Sequence, residues 1–164
     1  MLNTVCSALF LLPIAGFDEP AEPSFANHVV PVLTRLGCNS GACHGALAGK
    51  GGFKLSLRGY DPVTDHFVMT RQVLGRRVNT QEPAKSLILL KPTLAISHGG
   101  GLKLEVLSPE YNVLANWIAS GARGPSSKDA HITGLEVAPA RTVLKPKDTL
   151  QMQVRATYSD GQQR

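Results

Sequence analysis

The sequence has few aromatic and few charged residues, and it lacks a long apolar run. Aromatic residues make up 5% and charged residues 18% of the 164 residues. The longest apolar segment, residues 5–17, is interrupted by Pro13 and is shorter than the roughly 18 residues that a membrane-spanning helix needs. We therefore predict no membrane span. A hydrophobic fraction of 43% excludes intrinsic disorder, and the length allows one domain plus a fragment of another.

The apolar N-terminal segment is typical of a secretory signal peptide. It is rich in Leu and Ala and ends in small residues at Ala15 and Gly16. Residues 1–4 contain no Lys or Arg, which departs from that pattern, and the alternative is a buried helix of the folded protein. Because the acidic, proline-rich residues 18–23 separate the segment from the rest, we predict a signal peptide and linker over residues 1–23. This predicts export to the periplasm or the cell surface.

Cysteine is also scarce, and two of the three cysteines lie in one motif. Cys6 falls in the predicted signal peptide, which leaves Cys38 and Cys43, with His44 directly after the second. In an oxidising compartment these two cysteines could form a disulfide. With a remote histidine they could bind zinc, although a fourth ligand is not evident. A third interpretation is covalent attachment of haem through both thiols, with His44 reaching the iron.

Glycine and proline are abundant, with 16 and 11 residues, and they divide the chain into short elements. Apolar spacing predicts helices over residues 24–36, 65–74 and 82–92. Pro31 lies inside the first and is expected to kink it or to confine its regular part to one side. The clearest helix signal spans residues 108–121, with a serine N-cap, a proline at the first helical position and a terminating glycine.

The C-terminal residues follow a different pattern. Apolar side chains alternate with polar ones at Leu150, Met152, Val154, Ala156 and Tyr158, which predicts a β-strand. Two or three strands are too few to enclose the core of a sandwich. We therefore predict that residues 131–164 are the beginning of a β-domain that continues in a longer protein.

Several segments taken together resemble a known family. A helix containing Val-x-Pro-Val-Leu precedes the Cys-x4-Cys-His-Gly motif, and the segments 85–92 and 107–122 follow in a characteristic order. This order resembles the cytochrome c domain of large planctomycete-type surface or periplasmic proteins, over residues 24–124. Residues 134–161 resemble the opening strands of a bacterial Ig-like group 2 domain. The resemblance implies an N-terminal part of a larger protein, with further domains after it.

The resemblance also implies a covalent haem c site. Cys38 and Cys43 match the thioether positions, and His44 matches the proximal iron ligand. Where related domains have a Met-Pro-Pro segment, this chain has His98 followed by three glycines, so His98 is the expected distal ligand. The glycines let the backbone approach a flat cofactor closely. Met69 is the alternative distal ligand, although a methionine at helical spacing is more often core packing.

These observations predict a mostly α chain: a small c-type cytochrome fold with glycine-rich loops, followed by a truncated Ig-like β segment. The expected function is electron transfer through haem c iron, with an acidic redox protein as the partner. No catalytic residues are visible, so we expect an electron carrier rather than an enzyme, or the carrier domain of a larger enzyme. The alternative is a haem-free exported binding or structural module held by a Cys38–Cys43 disulfide.

A basic stretch between residues 50 and 91 contains eight Lys and Arg side chains. Nucleic acid is not the expected partner, because an exported chain with few aromatics seldom meets it. The ordinary explanation is a solvated surface. The functional one is that basic side chains pair with haem propionates or steer an acidic redox partner, and the candidates are Lys50, Lys54, Arg58, Arg76 and Arg77.

Overall fold

The computed structural model describes residues 22–164, so nearly all of the predicted signal peptide and linker lies outside the described residues. A π-helical turn at Phe25–Val29 continues into α1 (Val30–Arg35), and α2 (Pro62–Thr70), α3 (Leu87–Leu90) and α4 (Pro109–Ala119) follow. Short 3-10 turns lie at Leu57–Gly59 and Pro83–Lys85, and the strands β1 (Ile132–Ala138) and β2 (Gln153–Tyr158) complete the order. Within residues 22–164, none of the helices has the length and apolar character that crossing a membrane requires.

The prediction of a mostly α chain with a small c-type cytochrome fold is wrong. Of residues 22–164, 29% are helix and 11% are strand, the remainder is mostly loop, and this content does not match a mostly α cytochrome fold. The predicted helices form, but they are short because glycine, proline and left-handed residues interrupt them. The helix expected over residues 65–74 ends at Thr70, since Val73 and Leu74 beyond it have positive φ angles of 54° and 58°.

The first helix ends in a way that places the cysteine motif. Gly37 adopts a left-handed φ of 72°, and its amide donates to the carbonyl of Thr34 at 3.0 Å. The amide of Cys38 donates to the carbonyl of Leu33 at 2.8 Å. These two bonds form a Schellman motif, which requires a residue that tolerates a left-handed backbone. Cys38 is thereby fixed directly at the end of the helix.

Pro31 limits the regular part of this helix, as expected from its missing N–H. The chain before it is π-helical, with the amide of Val30 donating to the carbonyl of Phe25, and regular α-helix begins only at Val30. Ser24 is the N-cap, since its side chain accepts from the amide of Asn27. The predicted N-cap and the predicted effect of Pro31 are therefore confirmed.

The core is organised around α4, which packs against the first helical segment and against the loops between the other helices. Trp117 is fully buried, its ring lies 5.3 Å from that of Phe25, and its Nε1 donates to the carbonyl of Arg123 at 2.8 Å. The other buried members include Val29, Leu55, Met69, Leu89, Leu104, Leu114 and Ile118. Burial of each large apolar side chain contributes about 1.5–3 kcal/mol, so this cluster stabilises a chain with little regular structure.

The two strands form an antiparallel sheet with little packing on either face. Leu135 pairs with Ala156 and Val137 with Val154, yet Leu135 and Val154 are 62% and 60% exposed. No residue from 131 to 164 belongs to the buried core cluster. The side chain of Asn27 donates to the carbonyl of Ala130 at 2.7 Å, which connects the start of this segment to the helical part.

This exposure predicts fast amide exchange in the sheet. We expect the amides of β1 and β2 to exchange with deuterium much faster than those of α4, because an isolated two-stranded sheet is marginally stable while Trp117 and Ile118 of α4 are fully buried. Hydrogen exchange followed by mass spectrometry measures both in one sample. Equal protection of the sheet and α4 would contradict the exposed placement of the strands.

Candidate functional site

A cavity of about 350 Å³ opens between the cysteine motif, α3 and the loop that carries His98. Its volume lies in the range of ligand and cofactor pockets. All five residues that the sequence analysis assigned to the site line this one cavity: Cys38, Cys43, His44, Met69 and His98. Apolar side chains form much of the remaining wall, among them Leu33, Phe53, Leu87, Ile88 and Pro92. The structure therefore brings together residues that are up to 60 positions apart in the sequence.

The segment between the cysteines is folded back on itself. The amide of His44 donates to the carbonyl of Cys38 at 2.9 Å, and the amides of Cys43 and Gly45 both donate to the carbonyl of Ser40 at 3.0 and 2.9 Å. Asn39, which is buried, donates from Nδ2 to Thr34 Oγ1 at 2.8 Å. These bonds hold the four residues between the two cysteines as a compact turn. Both thiols and His44 therefore reach the same cavity.

Gly45 is required by this turn, and Gly41 is not. A Cβ added at Gly45 would clash with the backbone carbonyl of Asn39 and lie 2.8 Å from that of Ser40, whereas nothing lies within 4 Å of a Cβ at Gly41. We expect Gly45→Ala to lower the free energy of unfolding by about 1–3 kcal/mol, as overpacking does, and Gly41→Ala to change it little. Urea unfolding of the two variants measures the difference, and equal stabilities would contradict the turn described here.

A backbone carbonyl holds the ring of His44, which lines the cavity. Its Nδ1 lies 3.0 Å from the carbonyl oxygen of Phe53, and because a carbonyl can only accept, Nδ1 carries the proton. The lone pair therefore lies on Nε2. The ring packs on that of Phe53 with centroids 4.5 Å apart. Burial lowers the pKa of His44, against the opposing effect of the Phe53 carbonyl, so the imidazole is neutral at neutral pH and available as a metal ligand.

His98 repeats this arrangement. Its Nδ1 lies 2.9 Å from the carbonyl oxygen of Gly101, which again leaves the lone pair on Nε2. The ring centroids of His44 and His98 are 6.4 Å apart, and their planes differ by 20°. Two imidazoles that bind one metal from opposite sides, with metal–nitrogen bonds of about 2.0 Å, have centroids separated by about 6 Å. The spacing of the two rings fits a shared metal centre.

The cysteines are free thiols, and both are partly buried. Burial, with a smaller effect of the neighbouring Cys43, raises the pKa of the Cys38 thiol from 9.0 to about 11, against the opposing charge of Lys103. Cys38 is therefore protonated at neutral pH, unlike a nucleophilic or metal-bound thiolate. Within residues 22–164, no three side chains of His, Cys, Asp or Glu come together as a metal site, so the zinc interpretation gains no third ligand there.

Met69, the alternative distal ligand, belongs to the packed core. It lies on α2, has no exposed surface, and joins the cluster that surrounds Trp117. It also contributes to the wall of the cavity. A buried methionine in this position is accounted for by packing. The geometry therefore favours His98, whose ring lies near that of His44, over Met69.

Within residues 22–164, the cavity is lined by five basic side chains and by no acidic one: Lys50, Arg76, Arg77, Lys91 and Lys103. Arg77 is 5% exposed, and its guanidinium donates to the carbonyls of Val68 and Gly52, each at 2.8 Å, while lying 4.7 Å from the centre of the Phe53 ring. Burial lowers the pKa of Arg77, but a guanidinium remains charged at neutral pH. The site therefore carries positive charge that suits carboxylate groups of a ligand.

The other two histidines of the helical part are satisfied within the fold. His66 lies with Nε2 at 2.8 Å from the carbonyl oxygen of Ala122, and its ring meets that of Phe25 edge to face. His28 accepts at Nδ1 from the amide of Ser24.

Comparison of the chain with protein-family models, with curated proteins and with solved structures found no match. The resemblance to a planctomycete-type cytochrome c domain and to an Ig-like module therefore stays a prediction. The assignment of the site rests on the residues and the geometry described above.

Proposed function

We propose that this chain binds haem c covalently and carries electrons in an exported protein. Cys38 and Cys43 would hold the haem through its vinyl groups, and His44 and His98 would bind its iron. One observation carries the proposal: two histidines, each with Nδ1 at a backbone carbonyl, line the same cavity as the two thiols. A bound haem supplies one-electron chemistry at its iron.

The chain's own groups prepare the histidines for this role. The carbonyls of Phe53 and Gly101 select the tautomer, orient each ring and increase the basicity of Nε2. The apolar wall around them, with Leu33 and Ile88, limits access of water to the site. Both effects would let His44 and His98 hold a bound iron without a large rearrangement of the chain.

The basic side chains have two roles in this proposal. Arg77 is buried, and its hydrogen-bond partners among residues 22–164 are all carbonyls. Haem propionates are carboxylates, which would balance the charge of this cation. The more exposed cations, such as Lys91, would attract an acidic redox partner. Export, which the N-terminal sequence predicts, would place the chain in the compartment where c-type haem is attached.

The proposal is tested by the absorption spectrum of the protein made together with a cytochrome c maturation system. We expect a Soret band and sharp α and β bands on reduction, and we expect the colour to stay with the protein during acid–acetone extraction. A colourless protein, or one that loses its haem in acid–acetone, would overturn covalent attachment. A colourless protein without titratable thiols would support the disulfide-held module instead.

A further inference from the structure

His44 and His98 are anchored in different ways. Two segments of the chain hold His44. Its amide donates to the carbonyl of Cys38, while in residues 53–55 the amide of Leu55 donates to the His44 carbonyl at 2.8 Å and the carbonyl of Phe53 accepts from Nδ1. Its ring also packs on the ring of Phe53. Movement of His44 would break several of these contacts at once.

Among the described residues, the hydrogen bonds of His98 itself are made inside its own turn, residues 97–101. Nδ1 of His98 lies 2.9 Å from the carbonyl oxygen of Gly101, and the amide of Gly101 donates to the carbonyl of His98 at 3.0 Å. Among the described residues, one hydrogen bond joins this turn to the rest of the chain. Lys91 Nζ donates to the carbonyl of Ser97, and this bond is exposed to solvent. The orientation of His98 is therefore fixed relative to the turn rather than to the cavity.

The turn lies between two anchored positions. The amide of Ile96 donates to the carbonyl of Leu90, and the amide of Lys103 donates to that of Pro92 at 2.8 Å. Between them, Gly99 is exposed and has open space around its missing side chain. Glycine allows the backbone changes that a hinge needs. The turn can therefore swing as a unit, carrying His98 with it, without losing its internal hydrogen bonds.

Building on the proposed haem site, we propose that residues 97–101 form a gate, and that a small neutral diatomic ligand binds the haem iron in place of His98. Swinging the turn outward frees the distal position while His44 keeps the proximal one. The largely apolar cavity wall, with Leu87, Ile88 and Met69, suits a neutral ligand. The polarity and access of the distal pocket decide which ligands a haem accepts.

The free energy needed to open the turn determines the expected affinity for carbon monoxide. A minor open conformation is commonly populated at about 0.1–10% of molecules. A ligand that binds only the open conformation has its apparent affinity reduced by that fraction. Carbon monoxide should therefore bind the unmodified ferrous protein roughly 10- to 1,000-fold more weakly than it binds His98→Ala, in which no side chain competes.

The test is a carbon monoxide titration and mixing experiment on the haem-loaded, reduced protein. In the unmodified protein, the binding rate should reach a plateau as carbon monoxide increases, because opening becomes limiting, and in His98→Ala it should rise linearly. Gly99→Ala restricts the hinge without a clash and should lower the plateau rate severalfold. Gly134→Ala in β1, where a Cβ makes ordinary contact with Thr157, is the control and should leave the rate unchanged.

Each other outcome overturns the gate. If only His98→Ala binds carbon monoxide, or if neither protein does, the turn does not open to a ligand. If both bind equally and without a plateau, His98 is not a ligand. A plateau rate that Gly99→Ala leaves unchanged, or that Gly134→Ala lowers equally, would exclude hinge motion at the turn. Loss of haem in acid–acetone, measured beforehand, reports failure of the proposed function separately.

Discussion

Replacement of both motif cysteines, Cys38→Ala with Cys43→Ala, is expected to abolish covalent haem. Thioether bonds need the two sulfur atoms, and both thiols line the cavity with the two histidines. The fold should survive, because both thiols are only partly buried and a free cysteine packs as a small apolar side chain. We expect each substitution to lower the free energy of unfolding by about 1 kcal/mol, the typical cost of a point mutation.

The measurement is haem staining of the denatured protein on a gel, with the folded state checked by circular dichroism. Cys6→Ala, the change at the third cysteine, is the matched control and should retain full staining. Each single variant, Cys38→Ala or Cys43→Ala, should retain staining at a reduced level, because one thioether remains. Haem that stays attached to the denatured double variant would contradict the site.

The second large effect is expected at the distal ligand. His98→Ala should convert the ferric haem to a high-spin or water-ligated form, because removal of the imidazole leaves the position beside the iron open. Met69→Leu is the matched control, since it changes a residue of the same cavity while nearly conserving its volume. Met69→Leu should leave the spectrum unchanged and lower the free energy of unfolding by less than about 1.5 kcal/mol.

Absorption and electron paramagnetic resonance spectra of the ferric protein measure this effect. The unmodified protein should lack the weak long-wavelength charge-transfer band that histidine–methionine ligation produces. A band that is present in the unmodified protein and lost in Met69→Leu would assign the distal position to Met69. Spectra that neither substitution changes would show that another group, or none, occupies the sixth position.

That Cys38, Cys43 and His44 come together could be predicted because the three residues are close in the chain. Cys38, Cys43 and His44 need only a helix end and a compact turn to reach one cavity, and the glycine that ends the helix is visible in the sequence. The helix caps at Ser24 and Ser108 were equally local, and both accept the expected backbone hydrogen bonds. Local signals of this kind do not depend on the overall fold.

The groups that orient the histidines could not be predicted, because they are backbone carbonyls. The carbonyls of Phe53 and Gly101 bind Nδ1 of His44 and His98, and no side-chain type marks that role. Likewise Lys91 and Lys103 line the cavity through tertiary folding, while Lys54 and Arg58, named from the basic stretch, are not among its lining residues. Charge density along a sequence does not tell which side chains meet in space.

The helix content was overestimated for a related reason. Apolar spacing predicts where a helix packs, but its length depends on the backbone conformation of the residues that end it. Val73 and Leu74 are ordinary helix residues by composition, yet both are left-handed in the structure. Similarly, α3 begins only at Leu87, because the start of the helix predicted over residues 82–92 is a separate 3-10 turn at Pro83–Lys85. The site is therefore assembled mostly from loops whose course follows from tertiary contacts.

The central claim, covalent haem on the cysteine motif, is tested most directly by mass spectrometry of the protein made with a cytochrome c maturation system. The denatured protein should have the mass of the polypeptide plus one haem, and digestion should locate that haem on the peptide that contains Cys38, Cys43 and His44. A denatured protein with the mass of the polypeptide alone, or lighter by the two hydrogens of a Cys38–Cys43 disulfide, would contradict the claim.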